Sequence, residues 1–326
     1  MNDSVLHCAA APVAGASGGL AWLRADARGS CGRGPGGRAL GRGFGWRQRS
    51  LMALTVLALA APSLADDAAP DKSGYTLLNP TPDADLRAFS TDRPPKANSP
   101  YTVDAGHYQY ETDLVVYGRG NSEGVQTRDW TVFDPTLKLG LSNTIDAELQ
   151  VTPYESLATK SAANTSTLSG IGDTYARLKI NVLGDDRGDV AVALLPYVKL
   201  PTARSGLGND RVEGGLIVPV SISAPGGFTL IVMPEGDYLK DATGGGYHGA
   251  FDFLVNLSHP LGPRWSFYTE AYTSRTFAAS NQSVVTLDEA FTYALTPNLQ
   301  FDFGGNFSVN GVAPRTQLYT GLSQRF

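Results

Sequence analysis

Charged side chains recur at every second position along much of this chain. Glu111 and Asp113, Asp146 and Glu148, and Arg177 and Lys179 are each separated by a single residue. On an extended strand such pairs project from the same face. The chemistry they offer is electrostatic, because rows of carboxylates concentrate cations, whereas carboxylates interleaved with Lys and Arg neutralise one another. Two alternatives follow: a polar passage favouring cationic or neutral solutes, or a compensated ion-pair network that fills a narrow interior.

The elements that must position these residues are strands. From Gly106 onward the apolar positions alternate with polar ones, the period of a strand with one apolar face. Leu299, Phe301, Phe303 and Phe307 share a face opposite Gln300, Asp302 and Asn306; Ala176, Leu178, Ile180 and Val182 oppose Tyr175, Arg177, Lys179 and Asn181. About twelve such runs are expected, near 106–118, 129–141, 144–155, 172–183, 188–200, 212–223, 227–238, 248–258, 264–276, 284–295, 298–309 and 315–326. Five links between them are short, such as "SN", "APGG" and "TP". Most of the others are long and polar, such as "GRGNSEGVQTR" and "SLATKSAANTSTLSG". Short turns at one rim and long loops at the other, with an even strand number, predict an all-β, transmembrane antiparallel β-barrel in an up-and-down meander.

Composition agrees with an outside covered by something other than water. The run Leu51–Ala61 follows Arg47 and Arg49 and precedes Ser63-Leu64-Ala65, the parts of a signal peptide over 46–65 with cleavage after Ala65. Residues 1–45, rich in Gly, Ala and Arg, form an extension that fits an over-early start. Seven of the 26 basic and two of the 31 acidic residues precede Asp66, which leaves 19 and 29, a net charge of −10 that excludes nucleic acid as a partner. Those 48 charges among 261 residues fall below the quarter expected of a water-facing surface. Cys8 and Cys31 both lie before the cleavage point, so the exported part has neither disulfide nor thiolate metal site.

Residues 66–105, interrupted by six prolines from Pro70 to Pro100, read as a Pro-rich periplasmic arm ahead of a barrel over 106–326. The "TQLYTGLSQRF" end alternates to Phe326, as expected of a closing strand that must be paired because open edges are not tolerated in hydrocarbon.

With apolar faces toward lipid, the pore-lining set is Glu111, Asp113, Asp134, Lys138, Asp146, Glu148, Arg177, Lys179, Lys199, Glu235, Asp252, Glu270 and Asp302. Asp173, Asp237, Asp288 and Arg325 share the same parity, and carboxylates then outnumber bases twelve to five. Glu289 falls on the lipid face without an account. Tyr108, Tyr110, Trp130, Trp265, Phe267, Phe291 and Tyr293 read as interfacial girdles. Asp92 and Arg93 of "STDRPP" suit a ligand clamp, but the plainer reading is that they hold the arm against the periplasmic rim.

His107, His248 and His259 show no metal-ligand spacing and no nucleophile motif accompanies them, so neither an enzyme, a metal nor a cofactor is implied. A base at His248 near the long-loop rim is the weakest alternative, a lipid-modifying barrel. No room exists for an autotransporter passenger.

The chain also resembles a family. A signal peptide, twelve amphipathic strands and a terminal Phe326 resemble outer-membrane barrels generally, in which the last strand is the signal read by the barrel assembly machinery. Phe326, Leu322 and Leu318 would carry that signal, with Gln324 departing from the usual aromatic or aliphatic residue. More narrowly, "FSTDRPPKANSPYTVDAGHYQYETDLVVY", "LIVPVSI", "VMPEGDY" and "YALTPNLQFDFGGNFSVN" are similar to the outer-membrane transporter family named for a phenol-degradation (meta-pathway) protein, over about 88–326. The resemblance implies a Gram-negative outer-membrane channel for passive or gated passage of small solutes, aromatic or hydrophobic ones among them, with lipid and solute as partners and both mature termini periplasmic. The alternative is a non-conducting structural or surface-interaction barrel. Solute identity, plugging and oligomeric state stay open at this point.

Overall fold

In the computed structural model the described residues are 71–122, 124–241, 244–278, 283–311 and 314–326. The expected extension over 1–45 and signal peptide over 46–65 lie outside them.

Fifteen strand segments form twelve crossing strands, because three strands are interrupted. They are β1 (Tyr108–Ser122), β2 (Val125–Ser142), β3 (Ile145–Gln150 with Tyr154–Lys160), β4 (Thr165–Gly170 with Thr174–Leu183), β5 (Val190–Leu200) and β6 (Glu213–Ile217 with Val220–Ala224). The second half comprises β7 (Phe228–Lys240), β8 (Tyr247–Pro260), β9 (Trp265–Thr276), β10 (Ser283–Thr296), β11 (Leu299–Ser308) and β12 (Thr316–Arg325). Each pairs antiparallel with its neighbours in sequence, and β1 pairs with β12, so the sheet closes as the meander requires. Among the described residues no helix is long and apolar enough to cross a membrane, which leaves crossing by strands open.

The closing seam runs from Gln109↔Arg325 to Arg119↔Thr316. Phe326 continues it: its amide donates to the Tyr108 carbonyl at 2.9 Å and its ring stacks on Tyr108 at 4.9 Å and 14°. The His107 ring lies 3.1 Å from the Phe326 oxygen and 2.8 Å from the Thr81 oxygen, tying the segment before β1 to the same seam.

Two expectations about loops need correction. "GRGNSEGVQTR" is almost entirely strand, since β1 and β2 run on to a tight turn at Gly124, and residues 154–170 form a hairpin paired from Glu155↔Gly170 to Lys160↔Thr165. The backbone groups of these polar stretches are satisfied by strand pairing rather than left to solvent.

The apolar faces point outward. Leu137, Leu149, Val198, Phe253, Leu287, Phe303 and Leu318 are exposed, while the polar side chains between them are buried. A water-soluble barrel would do the reverse; an exposed apolar band of this kind is the lipid face of a membrane barrel. Aromatic pairs flank the band: Trp265 with Tyr293 (4.8 Å) and Tyr108 with Phe326 at the short-turn rim, Tyr117 with Trp130 (4.5 Å) and Tyr238 with Tyr247 (4.7 Å) toward the other.

Candidate functional site

Strand alternation carries the predicted residues inward. Glu111, Asp113, Lys138, Asp146, Glu148, Arg177, Lys179, Lys199, Glu235, Asp252, Glu270 and Asp302 are all buried, and Asp134 is half-buried. On β1 to β4 they interlock. Lys138 Nζ lies 2.6 Å from Glu111 and 3.8 Å from Glu148, and Lys179 Nζ lies 3.2 Å from Glu148. Arg177 donates to Gln150 (2.6 Å), which donates to Asp134 (2.9 Å). On β5, Lys199 is held between Asp173 and Glu213, each at 3.0 Å.

What fills the centre is the segment expected at the periplasmic rim. Residues 87–104 run through the barrel interior, bonded to inward side chains of strands on every side. Asp92 accepts from Lys138 of β2 and from Lys179 of β4 at 2.9 Å. Arg93 pairs with Asp113 of β1 at 2.7 Å and with Asp302 of β11 at 2.8 Å. Lys96 pairs with Asp288 of β10, and the Lys96 and Ala97 amides donate to Glu270 of β9 at 3.2 and 3.1 Å. The Val103 amide donates to Asp146 of β3 at 2.8 Å, and Arg87 pairs with Asp104 (3.0 Å) and Asp185 (2.6 Å). The physical reason for this placement is charge: wall carboxylates exceed wall bases, and Arg93 and Lys96 bring cations to the carboxylates left over.

Charge balance is visible in how these groups ionise. Burial works against the Arg93 guanidinium, but Asp113 and Asp302 outweigh it and raise its pKa. Burial likewise works against ionised Asp92, yet Lys138 and Lys179 hold its carboxyl well below the ordinary aspartate range.

The interior has a second character that period two did not reveal. Leu195, Ile217, Met233, Leu254, Tyr272 and Val284 form one buried apolar cluster on β5 to β10, packed against Ala97 of the inner segment. Beside it Glu235, Asp237 and Asp252 bring carboxylate oxygens within 4.8 Å of one another. Tyr197 donates to Asp237 at 2.7 Å and Tyr272 donates to Asp252. Between the segment and the charged wall a polar cavity of about 30 Å³ remains, lined by Asp92, Arg93, Asn98, Glu111, Asp134 and Arg177 among others. That is room for a water or two and for nothing larger.

Sequence reasoning missed Asp129, Glu155 and Leu157, all buried. On β1 and β2 the ladder passes from Asp113↔Asp134 to Val115↔Val132, skipping Leu114 and Phe133, and Phe133 has φ 59°. With one residue left out of the ladder on each strand the register is kept, but the inward parity along β2 changes by one, so Asp129 faces the interior although Asp134 does too. The break between Gln150 and Tyr154 does the same for Glu155. Of the remaining singled-out groups, Glu289 stays exposed and accepts from Thr269 at 3.0 Å. His248 lies 2.8 Å from Asp241 at the long-loop rim.

The family described as "Putative MetA-pathway of phenol degradation" matches residues 91–326, from within the inner segment to the closing strand. The chain belongs to this family. No curated protein matches it in sequence. Among solved structures it is similar to an outer membrane channel from Pseudomonas putida F1, at 12% identity and TM-score 0.51, over 68% of this chain and 93% of that one. Others include the translocator domain of the autotransporter NalP from Neisseria meningitidis (12% identity, TM-score 0.44, 68% of this chain and 88% of that one) and the CymD monoaromatic hydrocarbon channel (10% identity, TM-score 0.37, 67% and 87%). The likeness to the Pseudomonas putida protein shows a shared barrel fold for this phenol-degradation-pathway family member.

Proposed function

We propose that this chain is a channel of the Gram-negative outer membrane for small solutes, held closed in this conformation by its own residues 87–104. The observation that carries the reading is the inner segment itself: it is bound through side-chain ion pairs and through amides accepted by wall carboxylates, not sealed by a continuous apolar core. Each of these polar contacts has a counterpart that water or a polar solute supplies in its place, whereas a structural barrel needs only a packed interior. The Pseudomonas putida structure, named an outer membrane channel, supports the same reading.

Selectivity rests on two walls. Carboxylates of β1 to β4 and β11 favour cations, and the cluster around Leu195, Met233 and Leu254 offers an apolar surface to aromatic or hydrophobic solutes. The short-turn rim, with Tyr108 and Phe326, faces the periplasm, so both mature termini lie there. Phe326, Leu322 and Leu318 lie along the outer side of β12, accessible to lipid and to the barrel assembly machinery. No chemical step, metal or cofactor belongs to this function. The His248–Asp241 pair is a structural bond of the loop, and His248→Ala leaves transport unchanged.

The test is single-channel conductance of residues 66–326 in planar bilayers under a salt gradient, wild type against Asp92→Ala. Larger, cation-preferring steps in the variant support a channel closed by the segment. A folded, inserted variant that carries no current overturns the reading in favour of a non-conducting structural barrel.

A further inference from the structure

The seam that closes the barrel carries an unusual row. In the β11–β12–β1 register, Gly321 pairs with Asp302 on one side and with Asp113 on the other. Two inward carboxylates therefore flank a position with no side chain. Arg93 occupies the gap. Its Nε and Nη2 donate to the two oxygens of Asp302 at 3.2 and 2.8 Å, and its Nη1 lies 2.7 Å from Asp113. A Cβ built at Gly321 would fall 2.5 Å from the guanidinium Cζ, inside any tolerable contact, so the plane of the group rests on the glycine. Asp302 is completely buried and Asp113 nearly so.

This is a shaped recess and not a general attraction for positive charge. The forked contact to one carboxylate, the single contact to a second and the flat floor together match a planar guanidinium and no spherical ammonium. The wall residues come from three strands of the barrel, whereas the guanidinium comes from the segment threaded through it.

We propose that Asp113, Asp302 and Gly321 form a binding site for guanidinium-bearing solutes, which the chain fills with its own Arg93. A solute carrying that group displaces Arg93 and thereby loosens the inner segment. The loosening rests on the channel reading above; the binding does not.

Binding is therefore measured without current, by calorimetric titration of the detergent-solubilised full-length Arg93→Ala protein with guanidinium chloride at millimolar concentration. Tetramethylammonium serves as a cation of equal charge with no donors. The expected result is saturable binding of guanidinium about tenfold or more tighter than of tetramethylammonium, given the loss of every forked bond. Binding should be lost in Arg93→Ala/Asp302→Asn and in Arg93→Ala/Gly321→Ala, and weaker in the wild type, where the solute must first displace Arg93. Equal affinity for the two cations, or guanidinium binding that survives both double substitutions, overturns the site. If Arg93→Ala does not fold, Arg93→Met keeps the bulk of the stem without the donors and is read in the same way. A site that binds in a protein that never conducts overturns the channel reading alone; conduction without binding overturns the site alone.

Discussion

Both carboxylate oxygens of Asp92 lie 2.9 Å from the Nζ of Lys179, an ion pair that joins the inner segment to a strand 87 residues away. Lys138 reaches the same carboxylate from β2. A residue in a stretch with no regular structure thus holds two buried lysines of the barrel wall, and its removal tests how firmly the interior is closed.

Replacing Asp92 with Ala leaves Lys138 with Glu111 and Glu148, and Lys179 with Glu148. Breaking a buried pair by removing one partner costs about 3–5 kcal/mol, and the remaining carboxylates keep the loss near the lower figure. The segment should then open often enough for trypsin to cut at Arg87 or Lys96 in the folded protein in detergent micelles, where both rims are accessible and the wild type resists.

The same pair predicts a pH response. Burial opposes ionised Asp92, but Lys138 and Lys179 prevail and depress its pKa. A depressed folded-state pKa gives stability that is complete above the unfolded aspartate value of about 3.9 and is lost only as pH falls through the lower folded value. The Ser99 amide, which donates to Asp92 at 2.6 Å, should stay protected from hydrogen exchange at about pH 4, after correction for intrinsic rates, and lose protection only in stronger acid.

Asp146 and Glu148 test wall selectivity. Asp146 accepts from the Val103 amide of the inner segment, and Glu148 pairs with Lys179. With the segment loosened by Asp92→Ala, adding Asp146→Asn and Glu148→Gln should lower the cation-to-anion permeability ratio, read from the reversal potential in a salt gradient. An unchanged ratio would place selectivity on another part of the interior.

The outer face is tested by Leu149→Arg. Leu149 is exposed between the inward Glu148 and Gln150. A basic side chain at the bilayer midplane of a barrel costs about 2–4 kcal/mol. Urea unfolding in phospholipid vesicles should register that loss, while conductance of the folded protein stays as in the wild type.

Phe326→Ala removes the stack on Tyr108 at the closing seam. An aromatic pair is worth about 0.5–1.5 kcal/mol beyond its buried area. The variant should unfold at correspondingly lower denaturant, and the fraction of barrel assembled in cells should fall further if Phe326 also carries the assembly signal.

The family match and the closed twelve-strand sheet follow from patterns written locally in the chain. Period two in Ala176–Val182 or Leu299–Phe307 obliges alternate side chains to opposite faces, so Arg177 and Lys179 had to share a face with one another, whichever way it turned. Strand number and the alternation that closes the sheet are legible for the same reason.

Tertiary structure decided the rest. Period two assigns relative faces, and a break in a strand reverses them: the one at Phe133 turns Asp129 inward and the one between Gln150 and Tyr154 turns Glu155 inward. Prolines break residues 66–105 into a stretch with no period, so nothing local could show that Asp92, Arg93 and Lys96 would lie among wall carboxylates. The row Asp302–Gly321–Asp113 exists only because the last strand pairs with the first, a contact between residues about two hundred positions apart in sequence. Local sequence sets which residues can share a face. Closure of the sheet sets which of them meet.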